Sequence, residues 1–350
     1  MSVYDRIAFH AKTNPWKLAI AGLGSFAETL SYGEFDLIVR RVAAYLHRNR
    51  VGADMRVGVI CDDMFLQIIV SCALSHMGIE EIVQSDTGKL AGGAADVLVS
   101  DRPASSEPAR TIVIDSAVLA SPLEADVPAA ANAWSHGASW VFLNRTAAGP
   151  DNRALRLRED VWTSRILRRS RLRTENAGAR WLVAMDIRTE TGLSAIFEIL
   201  WTGGAVLLSS GRLEDDIQLA SLYQADCLLI SVSGVGEYLK IFEQTAVPRL
   251  SLRHASVAGF NFDDRAMHRM KLSLANHLAL HLDSPETGPV AECSNWRRGA
   301  QCLFRVLPEV KVRIAGRGGE TNGADGRSEE HTSELQSHLN FVCRLLLEKK

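Results

Sequence analysis

The chain lacks a dominant charge. Its 39 Lys plus Arg against 41 Asp plus Glu leave a formal net charge of -2 over 350 residues, so no global field draws it to nucleic acid or to an anionic membrane. It lacks any apolar run of the ~18 residues that a membrane span needs. Met1 is followed by Ser2, Tyr4 and Asp5, with no basic patch leading into an apolar stretch, so no secretory leader is read. The six cysteines, at positions 61, 72, 227, 293, 302 and 343, show neither the close, even spacing of a disulfide framework nor paired C-x-x-C ligands. Reduced, mostly buried thiols in a cytoplasmic protein are expected. The histidines form no H-E-x-x-H, and Ser209-Ser210-Gly211 is not G-x-S-x-G, which argues against a zinc site and against a serine hydrolase.

What is present is the composition of a globular protein: 47% apolar and 23% charged residues, enough for one large core or two smaller ones. Helices are predicted over residues 3–13 and 32–49, the second opened by a capping box of Ser31 and Glu34. Residues 64–77 are apolar nearly all round, as in a helix enclosed by a core. Short apolar runs predict strands at 55–61, 81–83, 96–99, 111–114, 140–143, 180–185, 205–208, 227–232, 255–258 and 277–282. Helical patterns lie between the later ones, at 159–168, 192–201, 214–223, 236–243 and 263–274. Continuously apolar strands alternating with helices imply an α/β fold of layered, mostly parallel sheets covered by helices. Residues 91–95 and 116–133 are rich in Ala, Gly, Pro and Ser without helical periodicity and read as surface connections. A seam there divides a first α/β subdomain, 1–133, from a second, 134–326.

From Arg327 the text reads Arg-Ser-Glu-Glu-His-Thr-Ser-Glu-Leu-Gln-Ser and closes with Val-Cys-Arg-Leu-Leu-Leu-Glu-Lys-Lys. Residues 327–350 resemble the in-frame translation of a sequencing adapter; the alternative is an amphipathic C-terminal helix. The adapter reading sets the tail outside the fold and places the end of the natural text near Gly326.

Two loops could carry chemistry. Asn144 to Arg153 follows a buried strand, where open α/β sheets bind ligands, and its amides could face phosphate oxygens; an ordinary surface turn has the same composition. Leu282 to Pro289 offers Asp283, Ser284, Glu286 and Thr287, hard oxygen donors suited to Mg²⁺ and a nucleotide, or equally a turn with capping groups. Gly22-Leu23-Gly24-Ser25-Phe26-Ala27 imitates a dinucleotide fingerprint, but the next helix starts too late, at Ser31, so a hairpin turn is expected. An NAD-dependent oxidoreductase would rest on that segment alone. Eight arginines and two acids between Arg153 and Arg173 are read as a solvated helix face rather than a phosphate-backbone contact.

The order of these features resembles the adenylate-forming, AMP-binding acid ligases: acyl-CoA synthetases, luciferases and the adenylation domains of peptide synthetases. Leu30 to Phe35 is similar to their Leu-Ser-Tyr-x-Glu-Phe stretch. Phe142 to Asn152 aligns with Tyr-Thr-Ser-Gly-Thr-Thr-Gly-x-Pro-Lys-Gly, keeping the aromatic start, Thr146 and Pro150. Leu252 to Gly259 resembles the Ser-Leu-Arg segment and the Gly-Gly beside the adenine. Leu282 to Glu286 aligns with Tyr-Gly-x-Thr-Glu, and Leu307 to Ile314 with Leu-Pro-Gly-Val-Glu-Val-Arg-Ile. The resemblance spans residues 1–315.

It implies ATP and Mg²⁺ as cofactors, a carboxylic-acid substrate activated as an acyl adenylate, and transfer to a thiol of coenzyme A or an acyl carrier protein, or to an amine. It assigns Thr146 a phosphate-binding hydroxyl, Glu286 the metal-binding carboxylate, and Ala258-Gly259 the adenine wall. Arg145, Ala147, Gly149, Asp283 and Ser284 complete the nucleotide contacts. The chain also departs from the pattern. Asp151 stands where the family has Lys, and Leu282 and Asp283 replace Tyr and Gly. The Tyr-x-Thr-Gly-Asp motif and the C-terminal lysine domain have no counterpart before the adapter-like stretch. The expectation is therefore an impaired ligase, or a non-catalytic homologue that binds a nucleotide, an acyl group or a carrier protein.

Overall fold

The computed structural model describes residues 2–23, 29–84, 95–103, 110–122, 138–144, 153–172, 177–244, 252–259, 262–294, 296, 304–307, 310–311, 315–316 and 319–320. Along the chain the elements are α1 (Val3–Thr13), β1 (Leu18–Gly22), β2 (Thr29–Ser31), α2 (Tyr32–Arg48), β3 (Arg56–Ile60), α3 (Met64–Met77), β4 (Glu80–Gln84), β5 (Val97–Ser100), β6 (Arg110–Val113) and α4 (Ser116–Ala120). There follow β7 (Ser139–Asn144), β8 (Arg153–Arg158), α5 (Glu159–Leu172), β9 (Arg180–Ala184), α6 (Glu190–Trp201), β10 (Ala205–Leu208), α7 (Leu213–Leu222), β11 (Cys227–Ser231), α8 (Val235–Gln244) and β12 (Leu252–Gly259). The last are α9 (Asp264–Ser273), β13 (Ala275–Ser284), β14 (Gly288–Cys293), β15 (Arg305–Val306), β16 (Ala315–Gly316) and β17 (Gly319–Glu320).

Local chemistry sets the helix ends. Ser31 Oγ accepts from the Glu34 amide while Glu34 accepts from the Ser31 amide, closing the expected capping box at α2. Asp63 caps α3 by accepting from the Phe65 and Leu66 amides, and Gly78, at φ 69°, ends it in the left-handed conformation that a residue without Cβ adopts freely. One segment read as a connection is helical: α4 forms because Asp115 caps it and Val118 and Leu119 are buried. Strands β8 and β14 to β17 also lie outside the expected set.

The strands form two large sheets. One has six strands in the order β6-β5-β3-β4-β7-β8, parallel except for β8, which runs antiparallel to β7. The other has nine, β15-β14-β13-β12-β11-β9-β10-β1-β2, parallel through its middle and edged by antiparallel β2, β14 and β15. The chain thus enters the large sheet with β1 and β2, builds the small sheet, and returns. Because β1 feeds an antiparallel partner and not a helix, Gly22 sits in a hairpin, which removes the basis of the oxidoreductase reading.

Side-chain alternation decides which face packs where. Val57, Val59, Val83, Val97, Val99, Trp140 and Phe142 of the small sheet share one core with Ile20, Trp181, Val183 and Val206 of the large sheet, filled by α1, α2, α3, α5 and α6. Their neighbours Ile82 and Leu98 point to the other face of the small sheet. A second core, with α7, α8 and α9, covers the far face of the large sheet. Trp162 of α5 is the junction: its ring meets Trp140, Phe142 and Phe197 edge-on and its indole N–H donates to Ser194. Cys61, Cys72, Cys227 and Cys293 are free and buried, as expected. Among the described residues no helix is long and apolar enough to cross a membrane.

Candidate functional site

Five of the parallel strands bring their carboxyl ends to one crevice. Just beyond β1, β3, β5, β6 and β10, a cavity of about 600 Å³ is lined by Gly22, Asp62, Asp63, Phe65, Asp101, Ile114, Leu208 and Ser209, among others. Its acids serve the backbone: Asp101 accepts from the amides of Asp62 and Asp63, at 2.8 and 3.0 Å, and Asp63 caps α3.

Farther along the large sheet, past β9 and β11, lie the ends of β12 and β13. Their parallel register sets Ala258 beside His281 and Gly259 beside Leu282. Gly259 has φ 140°, and a Cβ there would lie 2.6 Å from Val232 Cγ1, so only glycine lets the β12 end approach β11 this closely. Strand β13 ends at Ser284, the chain turns through Pro285, Glu286 and Thr287, and β14 departs antiparallel. Within the turn the Ser284 and Thr287 hydroxyls lie 2.9 Å apart and Ser284 Oγ accepts from the Thr287 amide. Glu286 is exposed. The structure therefore gathers Ala258, Gly259, Ser284 and Glu286 at one sheet edge. Arg145, Thr146, Ala147 and Gly149 lie outside the described residues, in the connection from β7 to β8, which leaves from the carboxyl end of the small sheet.

Asp283 behaves differently from its neighbours. It is buried, and its Oδ2 lies 2.5 Å from Arg169 Nη2 of α5. Arg169 also donates to the Thr191 carbonyl, and Arg165, one turn earlier, pairs with Glu190 at 3.1 Å. The fork of Arg165 reaches the turn itself, Nη1 donating to the Pro285 carbonyl at 2.7 Å and Nη2 to the Glu286 carbonyl at 2.6 Å. Glu190 accepts in addition from Ser194, which receives the Trp162 N–H. Burial raises the Glu190 carboxyl above its usual range, against the pull of Arg169 and Arg165. Burial also opposes the charge of Arg169, but Asp283, Glu190 and Glu198 outweigh it and hold the guanidinium protonated.

The reading of the arginine-rich stretch as a solvated face is corrected at these two positions, since Arg165 is 5% and Arg169 2% exposed. A signal was present. Trp162, Arg165, Ile166 and Arg169 share one helical face, and Glu190, Ser194 and Glu198 form a polar stripe along the otherwise apolar α6. Buried charges on facing stripes imply pairing.

No family model matches the chain, and no curated protein matches it by sequence. Solved structures do match. The N-terminal subdomain of NpsA from Klebsiella oxytoca, in complex with 3-hydroxybenzoyl-AMSN, is similar with a TM-score of 0.75 at 13% identity, over 93% of this chain and 85% of that one. The o-succinylbenzoate coenzyme A synthetase of Bacillus subtilis, in complex with AMP, gives 0.74 at 14% identity, over 90% and 84%. A long-chain-fatty-acid-CoA ligase from Archaeoglobus fulgidus gives 0.72 at 11% identity, over 91% and 72%. Against the Bacillus subtilis synthetase bound to a product analogue, the chain spans 66% of that protein's length.

Proposed function

We propose that this chain, which has the fold of the large N-terminal domain of the adenylate-forming acid ligases, binds ATP across the carboxyl ends of its sheets and activates a carboxylic acid as an acyl adenylate for transfer to a thiol. The observation that carries this reading is the edge where Ala258, Gly259, Ser284 and Glu286 converge, in a fold that holds AMP in the Bacillus subtilis synthetase. In this reading the narrow β12 end at Gly259 receives the adenine, and the Thr146 hydroxyl, Arg145 and the amides of Ala147 and Gly149 face the phosphates. Glu286 would hold Mg²⁺, and the donor set suits it: an exposed carboxylate beside two hydroxyls offers hard oxygen ligands. When bound, Mg²⁺ supplies charge neutralisation at the phosphate oxygens. The residues' own contribution is positioning: they hold the α-phosphate in line with the attacking carboxylate. Asp283, committed to Arg169, takes no part in these contacts. The acceptor thiol belongs to coenzyme A or to a carrier protein.

A second reading, a homologue that binds nucleotide without forming an adenylate, is favoured by Asp151, a negative charge at the position where the family presents Lys to the triphosphate. ATP–pyrophosphate exchange with a panel of aliphatic and aromatic acids, run beside calorimetric titration with ATP, separates the two. Exchange above background supports the ligase, ATP binding without exchange supports the second reading, and neither signal sinks both.

A further inference from the structure

We propose that Arg165 is the positioning residue of the acidic turn: its guanidinium grips the carbonyls on either side of the Glu286 Cα and so fixes the direction in which the Glu286 carboxylate leaves the sheet edge. The proposal rests on the nucleotide reading of that edge. The two carbonyls belong to successive peptides, one preceding the Glu286 nitrogen and one following its Cα, at 2.7 and 2.6 Å from the two ends of one planar fork. Holding both planes leaves the Glu286 φ and ψ little freedom, and with both carbonyls turned inward the side chain emerges exposed. A lysine ammonium on its flexible stem has no such planar fork.

The guanidinium is itself fixed. Glu190 pairs with it at 3.1 Å, and both side chains are almost fully enclosed, at 6% and 0% exposure. On the turn side, Gly288 leaves the space that the arginine stem occupies, since a Cβ there would meet Arg165 Cδ at 2.9 Å. Gly288 also takes φ 66°, which suits glycine and starts β14 directly after the turn. Arg165 stands on α5, the helix that follows β8. A carboxylate aimed at a metal depends on its supporting hydrogen bonds as much as on its own identity.

The test uses Arg165→Lys, which keeps a charge opposite Glu190, and Glu190→Gln, which removes that charge and leaves the fork. In Arg165→Lys, exchange of the Glu286, Thr287 and Gly288 amides should accelerate on the order of tenfold while α6 and the body of β13 keep their protection. The Mg²⁺ concentration that half-saturates ATP binding should rise on the order of tenfold, with metal-free AMP binding unchanged within about twofold. Glu190→Gln, which loosens the guanidinium but keeps its fork, should shift the Mg²⁺ dependence in the same direction and by clearly less. Unchanged exchange in Arg165→Lys overturns the proposal. So does an equal weakening of metal-dependent and metal-free binding, or an equal effect in Glu190→Gln, since either marks a general structural role. If the unaltered chain binds no nucleotide, the functional reading fails on that result, and exchange alone judges the grip.

Discussion

Arg169 of α5 and Asp283 of β13 meet at 2.5 Å in an ion pair whose side chains are 3% and 5% exposed. Removing one partner of such a pair leaves a charge stranded in the core, whereas replacing both with apolar groups of similar volume does not. Arg169→Met, which leaves the Asp283 carboxylate unpaired while Glu190 keeps Arg165, should therefore cost about 3–5 kcal/mol in urea unfolding, and adding Asp283→Leu should recover the share that belongs to Asp283. Additive losses in the double variant would contradict the pairing.

A second carboxylate imposes a pH dependence. Glu81, the second residue of β4, is wholly buried; Ser71 and Gln67 donate to its Oε1, and the Trp140 side chain also favours the ionised form. Burial outweighs those bonds and raises its pKa from 4.5 to about 7. The folded protein then holds this proton more tightly than the unfolded chain, so stability is fully present below pH 4.5 and falls as pH rises towards 7. The loss across that window is about 3 kcal/mol, at roughly 1.4 kcal/mol per unit. Glu81→Gln should flatten the profile of unfolding free energy against pH; a slope that survives the substitution would assign it to other groups.

Glu286 is exposed, so Glu286→Gln should change stability by no more than about 0.5 kcal/mol. Under the proposed function it should still abolish most of the Mg²⁺ enhancement of ATP binding in a calorimetric titration. An unaltered metal dependence would remove Glu286 from the site.

Gly259 tests the closeness of the β12 end to β11. Gly259→Ala places a methyl group against Val232 at a backbone angle that L residues rarely take, with an expected loss of about 1–3 kcal/mol. Shortening the neighbour with Val232→Ala should relieve the contact and leave the backbone strain. A thermal unfolding series of the three variants separates the two parts.

Much of the architecture is legible in the sequence because its signals are local. The bounds of α3 can be read directly, since Asp63 and Gly78 bracket an apolar run. Strand β8 is less visible: Arg153 to Arg158 carries three arginines, and its alternation becomes a strand only once β7 pairs with it. Strand β14 begins with Gly288-Pro289, which reads as a turn until β13 supplies the register. At the candidate site, the convergence of Ala258, Gly259, Ser284 and Glu286 follows from strand ends that are each marked locally. Arg165, Arg169 and Glu190 are missed because their roles depend on partners far away in the chain, and a guanidinium in a basic stretch looks solvated until the opposing helix is in place.

The pairing of β1 with β10, Ile20 against Val206, gives the N-terminal hairpin the task of a shield. Without β1 and β2, the last parallel strand of the large sheet would present its unpaired amides and carbonyls to any passing chain, an invitation to edge-to-edge aggregation. Because this contact joins segments so distant in sequence, the shield can close only once β10 itself has been made.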